Sequence, residues 1–289
     1  MRTLLVPMTG PEGQEFAVEA AFALARDFKA HLTGFFIRPD PRAAIPFMGE
    51  GLTADAIQDL VDAAEREGRA RAAQAQAVFE AAREAAGVSP GDGRDGRDGG
   101  ESASASWEES VGFVADCVGR AARLADLTIL PQPVGSHAEE NGELLNEVLF
   151  RSGRPLLMIP AGFSGRIGGH PVVSWNGRAE CARTVAAALP VLGRAGRVTL
   201  LRIGEEHPER PSLEALGLYL ARHGITAEAV HEESDEQSVA EALLRTAGAR
   251  GGDLLVMGAY SHSRWREMIL GGVTRHAIHH AAIPLFMSH

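Results

Sequence analysis

The residues of this chain whose types and spacing could do chemistry gather in its last stretch, Asp253 to His289. Leu254-Leu255-Val256-Met257, bounded by Asp253 and Gly258, reads as a buried strand of a parallel sheet. A polar loop follows, then Gly271-Gly272, then Val273-Thr274-Arg275-His276 with helical character, and Ile283 to Met287 as a further strand. Strand, loop, glycines, helix, strand is a βαβ unit. Backbone N–H groups left unpaired at such a helix start, together with the helix dipole, can hold a phosphate. Close packing of helix on strand, with no ligand, is the other use of these glycines.

Histidines are dense in the same stretch, at His262, His276, His279, His280 and His289. His276 and His280 stand four apart, a spacing that chelates zinc when a third ligand exists. No His-Glu-x-x-His run and no nearby cysteine supplies one, so a polar helix face and no metal are expected. The two cysteines, Cys117 and Cys181, form no Cys-x-x-Cys pair and read as reduced structural thiols. Gly91 to Gly100 repeats Gly-Arg-Asp without an apolar residue and is expected to be a loop, not a calcium site. A net charge of −10 argues against sequence-independent nucleic-acid binding. The opening residues do not make a signal peptide, and no apolar run is long enough to span a bilayer. A cytoplasmic protein is the expectation, with neither nucleic acid nor membrane as partner.

The elements that position these residues are written twice. Leu4 to Val6, a helix over Glu15–Lys29, Leu32 to Ile37 and a long helix over Asp55–Ala86 open the first copy. Gly68 is a candidate break in that long helix. Ser102 to Glu109, a helix marked by Val114 to Leu124, Leu127 to Leu130, a helix over Asn141–Arg151 and Leu156 to Ile159 complete the copy. Pro171 to Trp175, Glu180 to Leu192, Val198 to Ile203, Leu213 to His223, Ala227 to Ser234 and Val239 to Ala247 restate that order. Repetition on this scale predicts two domains, 1–162 and 168–289. Each reads as an open parallel sheet with helices on both faces.

The chain resembles the universal stress protein family. That family carries, after its fourth strand, a glycine, two residues, a glycine, nine residues, and a glycine followed by serine or threonine. Here Gly258 is followed by Ala259 and Tyr260, Ser261 holds the second glycine position, His262 to Leu270 are the nine, and Gly271 is followed by Gly272. The resemblance covers the whole chain as a tandem pair. It implies an α/β fold of two tandem five-stranded parallel sheets, strand order 3-2-1-4-5, of the adenine-nucleotide alpha-hydrolase-like type.

In that order strands 1 and 4 are neighbours, and the crevice beyond their carboxyl ends takes ligands. The nucleotide-binding residues this implies are Asn176, Gly177, Arg202, Ile203, Gly258, Ser261, Arg264, Gly271, Gly272, Val273 and Thr274. Asn176 stands where the family usually has an aspartate, and Thr274 offers the hydroxyl that Gly272 lacks. The first copy has Thr9 at the aspartate position and an acidic loop without the glycine spacing, so no nucleotide is expected there. The expected function is a stress-response switch that binds ATP, with Mg²⁺, in the second domain. No catalytic residue is assigned; slow ATP hydrolysis is the most the family implies. The alternative is a dimeric interaction module whose glycine loop is structural. Adenylyl transferases and ATP pyrophosphatases need signatures that are absent here. Pairing through the last strands, within the chain or in a homodimer, is left open.

Overall fold

Short aliphatic runs become strands buried on both faces, and the amphipathic segments between them become the covering helices. The computed structural model describes residues 1–8, 14–41, 53–91, 102–135, 138–233, 238–260 and 272–289. By contact the chain divides into two units, Met1–Thr128 and Ile129–His289. The first holds β1 (Thr3–Met8), α1 (Glu15–Phe28), β2 (His31–Arg38), α2 (Ala54–Ala85), β3 (Ser89–Pro90), β4 (Ser104–Val111), α3 (Val114–Ala122) and the start of β5 (Leu127–Pro131). The second continues with α4 (Ala138–Glu147), a π-helical turn at Val148–Ser152, β6 (Leu156–Ile159), β7 (Pro171–Ser174) and α5 (Ala179–Leu192). It ends with β8 (Thr199–Ile203), α6 (Leu213–Arg222), β9 (Glu228–Glu232), α7 (Val239–Ala249), β10 (Leu254–Gly258), α8 (Gly272–His280) and β11 (Leu285–Ser288).

The first unit is built around aromatic packing. Helix α2 runs unbroken through Gly68, so the expected break does not occur. Phe79 of α2 packs on Phe22 at 5.0 Å and on Trp107 at 5.6 Å. Gly34 of β2 leaves room for that ring, since a Cβ there would come within 2.6 Å of it. The strand order β3-β4-β2-β1-β5 adds the two-residue β3 outside β4.

In the second unit the order is β6-β11-β10-β7-β8-β9. Strand β7 lies between β10 and β8, all parallel. The 3-2-1-4-5 order is therefore present as β9-β8-β7-β10-β11. Two separate five-stranded sheets do not form; the eleven strands belong to one mostly parallel sheet. Strand β6 pairs antiparallel with β11, Leu157 opposite Phe286. Both strands are fully buried aliphatic runs. Left as edges they would expose unpaired N–H and C=O groups beside apolar side chains. The last strands thus meet within the chain.

Two aspartates register the sheet in a way the sequence reading did not anticipate. Asp253 accepts backbone N–H groups from Gly168, Gly169 and His170 at 3.1, 2.7 and 2.9 Å, tying the start of β10 to the start of β7. Asp126 does the same in the first unit, accepting from Arg2 and Thr3 at 2.6 and 3.2 Å.

Candidate functional site

The crevice lies at the carboxyl ends of β7 and β10, and one rim of it turns inward. Asn176, just past β7, accepts the Arg178 N–H at 2.9 Å and donates to Glu180 at 3.5 Å. A short polar side chain that bonds its own backbone two residues on forms an Asx turn, which here starts α5. Gly177 has φ +70, and a Cβ on it would stand 2.7 Å from Arg210 Cβ and 3.0 Å from the Pro211 carbonyl oxygen. Glycine is required there twice over, by backbone conformation and by space. Arg202 is buried at the end of β8 and donates through Nε and Nη2 to the Glu205 carbonyl at 3.3 and 2.7 Å. Ile203 follows it, half-buried.

The floor is packed. A Cβ on Gly258 would meet the Cys181 backbone nitrogen at 2.7 Å, Glu180 Cγ at 2.7 Å and Cys181 Sγ at 2.9 Å. Burial pushes the Cys181 thiol above its ordinary value, against the pull of the Asn176 and Gly258 backbone N–H groups. A thiol held protonated is no nucleophile, in keeping with a structural cysteine.

The other rim is formed by α8. Gly272 is exposed, and a Cβ on it would meet nothing within 4 Å among the described residues. Val273 is half-buried and Thr274 buried, its hydroxyl accepting the Tyr260 N–H at 3.3 Å. Tyr260 itself sits at φ +56, in the left-handed region that a bulky residue seldom enters. Its ring packs on Phe150 of the π-helical turn at 4.9 Å, and His289 meets Phe150 edge-on at 4.9 Å. The far end of α8 is held by Gln132, whose Nε2 donates to the carbonyls of Ile278 at 2.9 Å and Ala281 at 3.4 Å.

Burial pushes the Tyr260 phenol up to about 12, from an ordinary value near 10. Burial favours the neutral form, so the resulting stability is fully present below about pH 10 and is lost as pH rises through about 12. The loss is on the order of 2 kcal/mol. Ultraviolet titration of tyrosinate should place the Tyr260 step near pH 12. Phe150→Ala should bring that step down; an unmoved step would mean that Phe150 does not desolvate the phenol.

Of the expected nucleotide contacts, Asn176, Gly177, Arg202, Ile203 and Gly258 lie at or just past the carboxyl ends of β7, β8 and β10, and Gly272, Val273 and Thr274 at the start of α8. Ser261, Arg264 and Gly271 lie outside the described residues, as do Thr9 and the Gly-Arg-Asp repeats from Asp92 onward. Among the described residues no group of three His, Cys, Asp or Glu could hold a metal. His276 and His280 stack instead, 4.2 Å apart, and His280 Nδ1 bonds the His276 carbonyl. Sequence reasoning missed Trp175, whose indole N–H donates to the Pro211 carbonyl at 2.9 Å. Its place at the end of a strand beside a glycine was the available signal. No helix among the described residues is long and apolar enough to cross a membrane.

Comparison with known proteins agrees with this architecture. No curated protein matches the chain by sequence. A universal stress protein from Archaeoglobus fulgidus has a similar solved structure, 13% identical, with a TM-score of 0.64 over 99% of this chain and 96% of that one. A functionally unknown protein from Pseudomonas aeruginosa PAO1 is 14% identical, with a TM-score of 0.58 over 100% of this chain and 92% of the other. At such identities the likeness shows the fold alone. The universal stress protein family itself matches residues 180–289, which take in α5 through β11 and one whole side of the crevice. Residues 180–289 therefore carry a universal stress protein domain, and the 289-residue chain fits a tandem arrangement of that fold.

Proposed function

We propose that the second repeat, 168–289, binds an adenine nucleotide, ATP with Mg²⁺, in the crevice between β7 and β10. The first repeat, 1–162, serves as scaffold. The protein then acts in the cytoplasm as a stress-response switch without committed catalysis. The observation that carries this reading is the start of α8: Gly272 is exposed, and among the described residues no atom lies near the position of a Cβ. Backbone N–H groups and the helix dipole there suit a phosphate, and Ser261, Arg264 and Gly271 precede it in the sequence. Asn176, Gly177, Arg202 and Ile203 would line the base and ribose side.

A second reading is favoured by a different observation. The polar groups of Asn176, Arg202 and Thr274 are all bonded within the protein, and Glu180 brings a carboxylate beside Gly258. A crevice so satisfied is what an interaction module with a structural glycine loop would have.

Calorimetric titration with ATP and Mg²⁺ separates the two, after denaturing the purified protein to look for carried-over nucleotide by absorbance. Micromolar binding, weakened roughly tenfold or more (about 1.4 kcal/mol) by Gly272→Val, is the expected result. No heat and no carried-over nucleotide would sink the nucleotide reading in favour of the interaction module.

A further inference from the structure

The segment that joins β8 to α6, Gly204 to Pro211, is tied down along its length. The Gly204 carbonyl accepts from His231 Nε2 at 2.8 Å, and the Gly204 N–H donates to the Glu232 carbonyl at 2.8 Å. Arg202 holds the Glu205 carbonyl through two N–H groups, and its Nη1 stands 3.9 Å from the Glu206 carboxylate. That carboxylate accepts the Leu213 N–H at 3.2 Å. At the far end the Trp175 indole donates to the Pro211 carbonyl at 2.9 Å. Arg210 and Pro211 press so closely on Gly177 that no Cβ fits between them. Trp175, Asn176 and Gly177 form the β7 rim of the crevice, so the segment lies on that rim. At Gly272, on the α8 rim, no atom of the described residues comes within 4 Å of a Cβ.

We propose that Gly204–Pro211 is a strap closed over the β7 side of the crevice, and that it must open before the base of a nucleotide can enter. The proposal rests on the nucleotide reading above. The strap's outer surface, Glu205 to Glu209, is exposed, so what holds it is a few hydrogen bonds and not a buried apolar face. Gly204, at φ +80, is a backbone position suited to a hinge, and Ser212, which caps α6, marks the other end. A phosphate can dock at α8 while the strap is shut; the base cannot pass Gly177. Apparent affinity is then the intrinsic affinity reduced by the fraction of molecules with the strap open.

The test uses the whole chain and two variants, each loosening one tie. Trp175→Phe removes only the indole donor to Pro211. Glu206→Gln removes the carboxylate facing Arg202 while keeping an acceptor for Leu213. Without ligand, either variant should raise hydrogen exchange at the strap amides by roughly tenfold. The ATP association rate and affinity should rise in the same proportion. A strap that exchanges faster in a variant whose ATP association rate is unchanged overturns the gate and leaves nucleotide binding standing. A strap whose exchange neither variant changes also overturns it, because these bonds then do not hold it. No ATP binding by any of the three proteins, with the strap measurably open, overturns the gate and the nucleotide reading together.

Discussion

Asp253→Ala should lower the unfolding free energy by about 3 kcal/mol, and the melting temperature by roughly 6–12 °C, since each kcal/mol shifts a domain of this size by a few degrees. The carboxylate accepts N–H groups from Gly168, Gly169 and His170, and among the described residues no other hydrogen-bond acceptor for those three is seen. Bonds from N–H to a charged acceptor each carry more than neutral ones, and the loss of the acceptor leaves the donors partly buried and unpaired. Gly169 admits the carboxylate only because it has no side chain: a Cβ there would lie 2.8 Å from Oδ2. The same bonds set the register of β10 on β7, where Leu254 stands opposite Pro171. Their loss should therefore also loosen the crevice that these strands form. Asp253→Asn keeps one acceptor oxygen without the charge and should cost about half as much. Thermal and urea denaturation measure both. A cost under about 1 kcal/mol for the alanine variant would show that the turn is held by its own backbone instead.

The fold was legible because the two periodicities were clean and written twice. Leu254 to Met257 and Leu200 to Ile203 could only be buried strands, and the helices between them repeat in kind and order. The joining of β6 to β11 was not legible. Leu156 to Ile159 and Leu285 to Ser288 are short aliphatic runs, and nothing in such a run names its neighbour. The aspartate clamps were legible in principle, since Asp126 and Asp253 occupy matching places before Leu127 and Leu254. That signal appears only when the copies are compared position by position.

The site was less legible than the fold. Gapped glycines placed the crevice, but glycine spacing does not say whether a residue meets a ligand or a neighbouring helix. Asn176 was read as a ligand contact from its place after a strand and its match to the family's aspartate position; its local chemistry, a short amide two residues before the Arg178 N–H, also makes it a helix-starting turn. Arg202, expected at the crevice, gives its guanidinium N–H groups to the Glu205 carbonyl, which no periodicity could foresee. Loops such as Gly204 to Pro211 carry no period at all, and so the strap was invisible.

Gly258 and Gly272, two glycines of one motif, should respond oppositely to substitution. Gly258→Ala should destabilise the protein by about 3 kcal/mol with no ligand present. The added methyl would strike the Cys181 backbone nitrogen, which can move only if α5 lifts from β10, and the Cys181 sulfur and Glu180 Cγ close off the other directions. Cores packed at this density yield to an extra carbon only by strain or displacement. Gly272→Ala meets no atom within 4 Å and replaces glycine in the first turn of a helix. It should leave stability unchanged or raise it by up to about 1 kcal/mol. Denaturation of the two variants without nucleotide therefore divides the motif into a packing glycine and a glycine that packing does not require. If both cost the same, the open start of α8 is not open in solution, and the strongest support for phosphate binding there falls. If they divide as expected, packing among the described residues does not require Gly272 to be glycine, and the start of α8 keeps its place as the phosphate candidate.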